Sequence, residues 1–78
     1  MYSKQNILIK FGERVREIRK ERCLSQEELA HRAGVHRTYI GMIERAEKNI
    51  TLINIERIAK ALDIKIGELF NTLQNDKL

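Results

Sequence analysis

The stretch that decides the fold is Leu24–Arg45, LSQEELAHRAGVHRTYIGMIER. Ser25 carries the short polar side chain that caps a helix N-terminus. Glu28, three residues on, can return its carboxylate to the Ser25 amide and close a capping box. Leu24 and Leu29 bracket that start as a hydrophobic staple, so a helix begins at Gln26. It ends at Ala33, because Gly34 can take the left-handed conformation without a Cβ penalty. The spacing then repeats. Val35 and Ile40 bracket His36, which occupies the next cap position, and a second helix runs from Arg37 to Arg45. The pattern is helix, turn, helix.

Working outward, the periodicity predicts three more helices and no strand. Leu8, Phe11, Val15 and Ile18 recur at spacings of three, four and three, with Glu13, Arg14, Arg16, Glu17 and Lys20 on the other face, which predicts an amphipathic helix from about Lys4 to Arg22. A fourth helix follows Thr51 as cap, turns Leu52, Ile55, Ile58, Ala59 and Leu62 inward, and ends near Asp63. A fifth spans about Ile66 to Thr72 behind Lys65, a poor cap. Met1 to Ser3 and Gln74 to Leu78 carry little pattern and are expected to be loose. The expected fold is all-α: a compact five-helix single domain over residues 1–78, ordered from about 4 to 73. Phe11, Val15, Ile18, Leu29, Ala30, Ala33, Val35, Ile40, Ile43, Leu52, Ile55, Ile58, Leu62 and Leu69 form the expected core.

Composition narrows the class. At 78 residues the chain suits one domain, which at this size buries only about 60% of its unfolded surface. No proline and four scattered glycines leave no segment with the composition of a linker. No apolar run approaches the roughly 18 residues that cross a bilayer, and no signal peptide is evident, so the chain is expected to stay in the cytoplasm. The single cysteine, Cys23, fits a reducing compartment. A charge of +4 and a pI near 9.5 suit a polyanionic partner. Cys23, His31 and His36 lack zinc-ligand spacing, and no glycine loop for phosphate, HExxH or nucleophile elbow occurs. The reading is therefore of a protein that is not an enzyme and needs no metal, cofactor or small-molecule ligand.

With Ile40 and Ile43 turned inward, Arg37, Thr38, Gly41 and Arg45 share the opposite face of the second helix of the pair. Arginine can donate two parallel bonds to guanine O6 and N7, and threonine offers a hydroxyl and a methyl that meets the thymine methyl. Both stand in the first turn, the part of a recognition helix that reaches base edges. Gly41 would let the backbone lie close to the groove. Arg37, Thr38 and Gly41 are the candidate base readers of double-stranded DNA.

LSQEELA, AGV, RTYI, IER and the later ITLINIERIAKALDI, in that order and spacing, resemble the helix-turn-helix of the lambda-repressor-like (XRE) family of bacterial and phage regulators. RTYI, IER, KNITL and the short length also resemble the controller proteins of restriction-modification gene sets. The resemblance implies a transcriptional regulator. It implies that Gln26 meets a DNA phosphate and that Tyr39, Arg45, Lys48 and Asn49 lie near the DNA backbone; His36, where the family usually has a small polar cap, is added to the phosphate set. It also pairs Glu44 with an arginine of the first helix, Arg19, as a structural ion pair. Cys23 and Ala46 stand where the family commonly has glycine, so a left-handed backbone there would cost roughly 1 kcal/mol.

Ile53, Ile66, Phe70 and Leu73 remain as apolar side chains outside the core, with Asn54, Arg57 and Lys65 as a polar rim. They predict a homodimer that reads a near-palindromic operator. The alternative from the same surface is a helical module that grips a protein, as an antitoxin or coactivator does. Salt-dependent binding to duplex DNA separates the two.

Overall fold

Four of the five expected segments are α-helices in the computed structural model, which describes residues 6–71: α1 (Asn6–Glu21), α2 (Gln26–Ala33), α3 (Arg37–Glu44) and α4 (Leu52–Ala61). The fifth is a single 3-10 turn, Ile66–Leu69, rather than an α-helix within the described residues. Lys65 supplies no side-chain cap there. The Glu68 carboxylate instead accepts the Lys65 backbone N–H at 2.9 Å, and the turn closes through the i to i+3 bonds Glu68 N–H to Lys65 O and Phe70 N–H to Gly67 O. The expected helix start at Lys4, the end at Thr72, Leu73 and the loose termini lie outside the described residues. No strand occurs among the described residues.

The α2 bounds follow from their caps. Ser25 Oγ accepts the Glu28 N–H at 3.0 Å, while the Glu28 carboxylate accepts the Ser25 N–H at 2.8 Å. All four helices end by the same device, in which a left-handed residue lets the next amide fold back onto the carbonyl five residues earlier: Leu24 N–H to Arg19 O, Val35 to Ala30, Glu47 to Met42 and Ile64 to Ala59. Only Gly34 among the four left-handed residues is a glycine; the others are Cys23, Ala46 and Asp63, at φ 58°, 62° and 59°. Arg45 is the C-cap of α3 rather than its last residue, and α4 ends at Ala61 with Leu62 as its cap.

α3 packs on α1 and α2, α2 packs on α4, and the 3-10 turn closes against α4 and α1. Val15, Leu29, Ile40, Ile43, Ile58, Leu62 and Leu69 are fully buried, each contributing roughly 1.5–3 kcal/mol before entropy is subtracted. Gly12, unremarked in the sequence reading, sets the approach of α1 to α3, since a Cβ there would run into the carbonyl oxygens of Ile43 and Glu44. Leu24, Ala46 and Ala61 join the core, whereas Val35 and Ile55 only line its edge.

Two expected placements are corrected. Leu52 is on the surface, 74% exposed, because it opens α4 beyond the edge of the core, which begins in earnest at Ile58. Phe70 is not left over on the surface: it is half-buried and its ring lies against Phe11, centroids 5.5 Å apart. An aromatic pair in a tilted arrangement contributes about 0.5–1.5 kcal/mol beyond its area, so Phe70 completes the core. No described helix is long and apolar enough to cross a membrane.

Candidate nucleic-acid interface

Arg37 and Thr38 are both exposed in the first turn of α3. With Gln26, Glu27, Gly41 and Arg45 they line an open cleft between the N-terminus of α2 and the outer side of α3. Gly41 forms its floor and not its rim. It is buried, because Arg45 folds back over it: a Cβ on Gly41 would lie 3.0 Å from Arg45 Nη1 and 3.6 Å from Gln26 Oε1. The backbone that the sequence was expected to present at Gly41 is thus covered by the Arg45 side chain in the chain alone. Arg45 also donates from Nε to Glu47 Oε2 at 3.1 Å.

The cleft is held from below by a charged network. Arg19 donates from Nε to Glu44 Oε2 at 2.7 Å and from Nη2 to Glu44 Oε1 at 3.1 Å, and its Nη1 reaches the Leu24 carbonyl at 2.8 Å. Gln26 Nε2 donates to Glu44 Oε1 at 3.0 Å. Glu44 is only 4% exposed along its side chain and Arg19 10%, so the pair is out of water and fully bonded. The network runs from α1 through α3 to α2 and fixes the Gln26 amide at the mouth of the cleft. The tie between Gln26 and Glu44 had no sequence signal, since it depends on the angle between α2 and α3.

Around the cleft, His36 caps α3 by accepting the Thr38 N–H at Nδ1, 3.0 Å, which leaves Nε2 on the exposed side. Tyr39 is half-buried at the core edge, and its hydroxyl oxygen accepts a bond from Asn54 Nδ2 at 2.9 Å. Lys48 and Asn49 are exposed on the loop between α3 and α4. Glu27, which sequence reasoning passed over, lines the cleft with Arg37; a carboxylate there can only accept hydrogen bonds, as from a cytosine amino group, and it repels phosphate. At the start of α2, the Ser25 backbone N–H, then the Ser25 hydroxyl, and more weakly the Arg32 charge, hold the Glu28 carboxyl below the ordinary glutamate range.

Leu52 and Ile53 stand side by side on the outer face of α4, 74% and 66% exposed, with Ile66 at 37% and Arg57 exposed. Asn54 is turned from the expected rim onto Tyr39. Ile7 and Ile9, two residues apart on α1, are also exposed and point to different sides of that helix. Among the described residues no three His, Cys, Asp or Glu side chains gather to hold a metal.

The helix-turn-helix family HTH_3 matches residues 15–69. Control protein C.BamHI of Bacillus amyloliquefaciens is 47% identical over 73 residues, 90% of each chain. The crystal structure of the restriction-modification controller protein C.AhdI from Aeromonas hydrophila superposes with a TM-score of 0.83 at 48% identity, covering 85% of this chain and 100% of that one. That of the controller protein C.Esp1396I, a tetramer in complex with its natural 35 base-pair operator, superposes with a TM-score of 0.84 at 34% identity, covering 91% and 93%.

Proposed function

The chain belongs to the HTH_3 helix-turn-helix family, and from that premise we propose that it is a sequence-specific regulator of transcription that binds double-stranded DNA, of the restriction-modification controller type. The observation that carries the reading is the exposed pair Arg37 and Thr38 at the first turn of α3, on a helix whose opposite face is locked into the core by Ile40 and Ile43. A helix held this way can enter a major groove with its N-terminal side chains at base edges. Arg37 and Thr38 read bases over the floor made by Gly41. Gln26, His36, Tyr39, Arg45, Lys48 and Asn49 hold phosphates, and the Arg19–Glu44 pair keeps Gln26 in position. The protein acts by binding in the cytoplasm and not by catalysis, as one domain over residues 1–78.

The regulator works as a homodimer through the outer face of α4 and the 3-10 turn beside it, with Leu52 added to Ile53, Arg57 and Ile66, and with Phe70 and Asn54 turned inward. Two copies related by a dyad present their reading helices to successive major grooves about 34 Å apart on a near-palindromic operator. The tetramer of C.Esp1396I on its operator supports this reading.

The test is a fluorescence-anisotropy titration of a selected duplex and a shuffled control at several salt concentrations. The logarithm of affinity falls linearly with the logarithm of salt, the selected duplex binds more tightly, and Lys48→Ala lowers the slope by about one without changing the preference. Equal binding to both duplexes, or capture of a protein partner with no duplex binding, overturns the proposal in favour of a protein-binding module.

A further inference from the structure

We infer that Asn54 is a positioning residue for DNA binding, because its side-chain amide dictates the direction in which the Tyr39 hydroxyl gives its proton. The inference rests on the DNA-binding reading above and concerns the hydrogen-bond polarity at one edge of that interface.

Asn54 Nδ2 donates to Tyr39 Oη at 2.9 Å. A tyrosine hydroxyl has one proton to give and lone pairs to accept with. Once Oη has accepted the amide proton, its own proton must point away from Asn54. No other hydrogen bond to Tyr39 Oη is formed among the described residues. Both partners are fixed. The Tyr39 ring packs on the core edge in the first turn of α3, one residue beyond Thr38, and the Asn54 backbone N–H is anchored at 3.2 Å to Thr51 Oγ1, the cap of α4. The Tyr39 hydroxyl is thus a pre-oriented donor at the flank of the reading helix.

A phosphate oxygen accepts hydrogen bonds and donates none, so a tyrosine that meets it must offer its proton and not a lone pair. Asparagine at position 54 enforces that choice. Aspartate, nearly the same in shape, would accept the Tyr39 proton inward and leave oxygen lone pairs facing the DNA. The bond also joins the first turn of α3 to the first turn of α4, which carries exposed Leu52 and Ile53.

The experiment is a thermodynamic cycle measured by anisotropy on a duplex selected by the parent protein. Asn54→Asp and Asn54→Ala are each made alone and together with Tyr39→Phe. Asn54→Asp weakens binding about tenfold more with the tyrosine present than in the Tyr39→Phe background, the size of a lost hydrogen bond to a charged group. The added negative charge acts in both backgrounds and cancels. Asn54→Ala shows the same coupling at about threefold, since it removes the orienting donor without reversing it. Thermal unfolding keeps the folded variants comparable: an acidic residue is favourable in the first turn of a helix, and Asn54→Ala serves alone if the aspartate variant does not fold. Equal effects with and without the Tyr39 hydroxyl overturn the inference while leaving the DNA-binding reading intact. A parent that binds no duplex overturns both.

Discussion

Removing Arg19 is the perturbation whose cost the structure fixes most closely. The Glu44 side chain is 4% exposed and accepts three hydrogen bonds, two of them from Arg19. In Arg19→Met the carboxylate stays buried with Gln26 as its one remaining partner from that network, and the Leu24 carbonyl loses its donor. Breaking a buried pair from one side costs about 3–5 kcal/mol, against 0–1 kcal/mol for a pair on the surface. A domain of this length has only about 4–12 kcal/mol of stability in total. At a urea slope of about 1 kcal/mol per molar, the unfolding midpoint followed by circular dichroism should fall by about 3 M or the protein should fail to fold. Arg19→Met combined with Glu44→Leu recovers much of the loss, because a buried pair replaced by apolar groups of similar volume is close to neutral. The milder Arg19→Lys keeps a charge but loses the two-pronged contact and falls between the extremes. A loss under about 1 kcal/mol for Arg19→Met, or a double variant whose cost is the sum of the single costs, refutes the argument that this pair locks α1 to α3.

Three other outcomes follow from the same structure. Cys23→Gly and Asp63→Gly, at exposed left-handed helix ends, raise stability by about 0.5–1 kcal/mol each, whereas Ala46→Gly gains less because its methyl group is buried; urea unfolding of the three variants checks the order. The lowered Glu28 carboxyl contributes stability that is complete above the ordinary glutamate range and is lost as pH falls through its depressed value; Glu28→Gln therefore flattens that part of the acid limb in thermal unfolding recorded from neutrality to about pH 3. Ile53→Glu and Leu52→Glu shift sedimentation-equilibrium profiles towards monomer, and at concentrations where the parent is itself monomeric they leave the unfolding temperature unchanged, since both side chains are exposed in the single chain. Phe70→Glu by contrast destabilises the fold, because its ring lies on Phe11.

The parts of the fold legible in the sequence are those governed by neighbours a few residues away. The Ser25–Glu28 capping box, the stop at Gly34 and the apolar faces of α1 and α3 are local events, and they place α2 and α3 with Arg37 and Thr38 outward. What escaped is set by contacts distant along the chain. Periodicity put Leu52 with Ile55 and Ile58, but one helical turn carries the chain past the end of the core. Phe70 looked superfluous until Phe11, near the start of the chain, came to meet it. Asn54 reads as a polar surface residue and Gly41 as an open one; the first is claimed by Tyr39 and the second covered by Arg45. The left-handed helix end at Asp63 has no glycine to mark it; there Ile64, the next residue, packs against the core.

The central claim is that the first turn of α3 reads base edges, and site selection from random duplexes at near-physiological salt tests it most directly when the parent and Arg37→Ala are run side by side. The parent should enrich a near-palindromic consensus with a guanine at mirrored positions. Arg37→Ala should lose the preference at that guanine, keep the remainder, and bind the parent's site about 1–3 kcal/mol more weakly. An identical consensus from the two proteins, or no enrichment by the parent, would contradict the account.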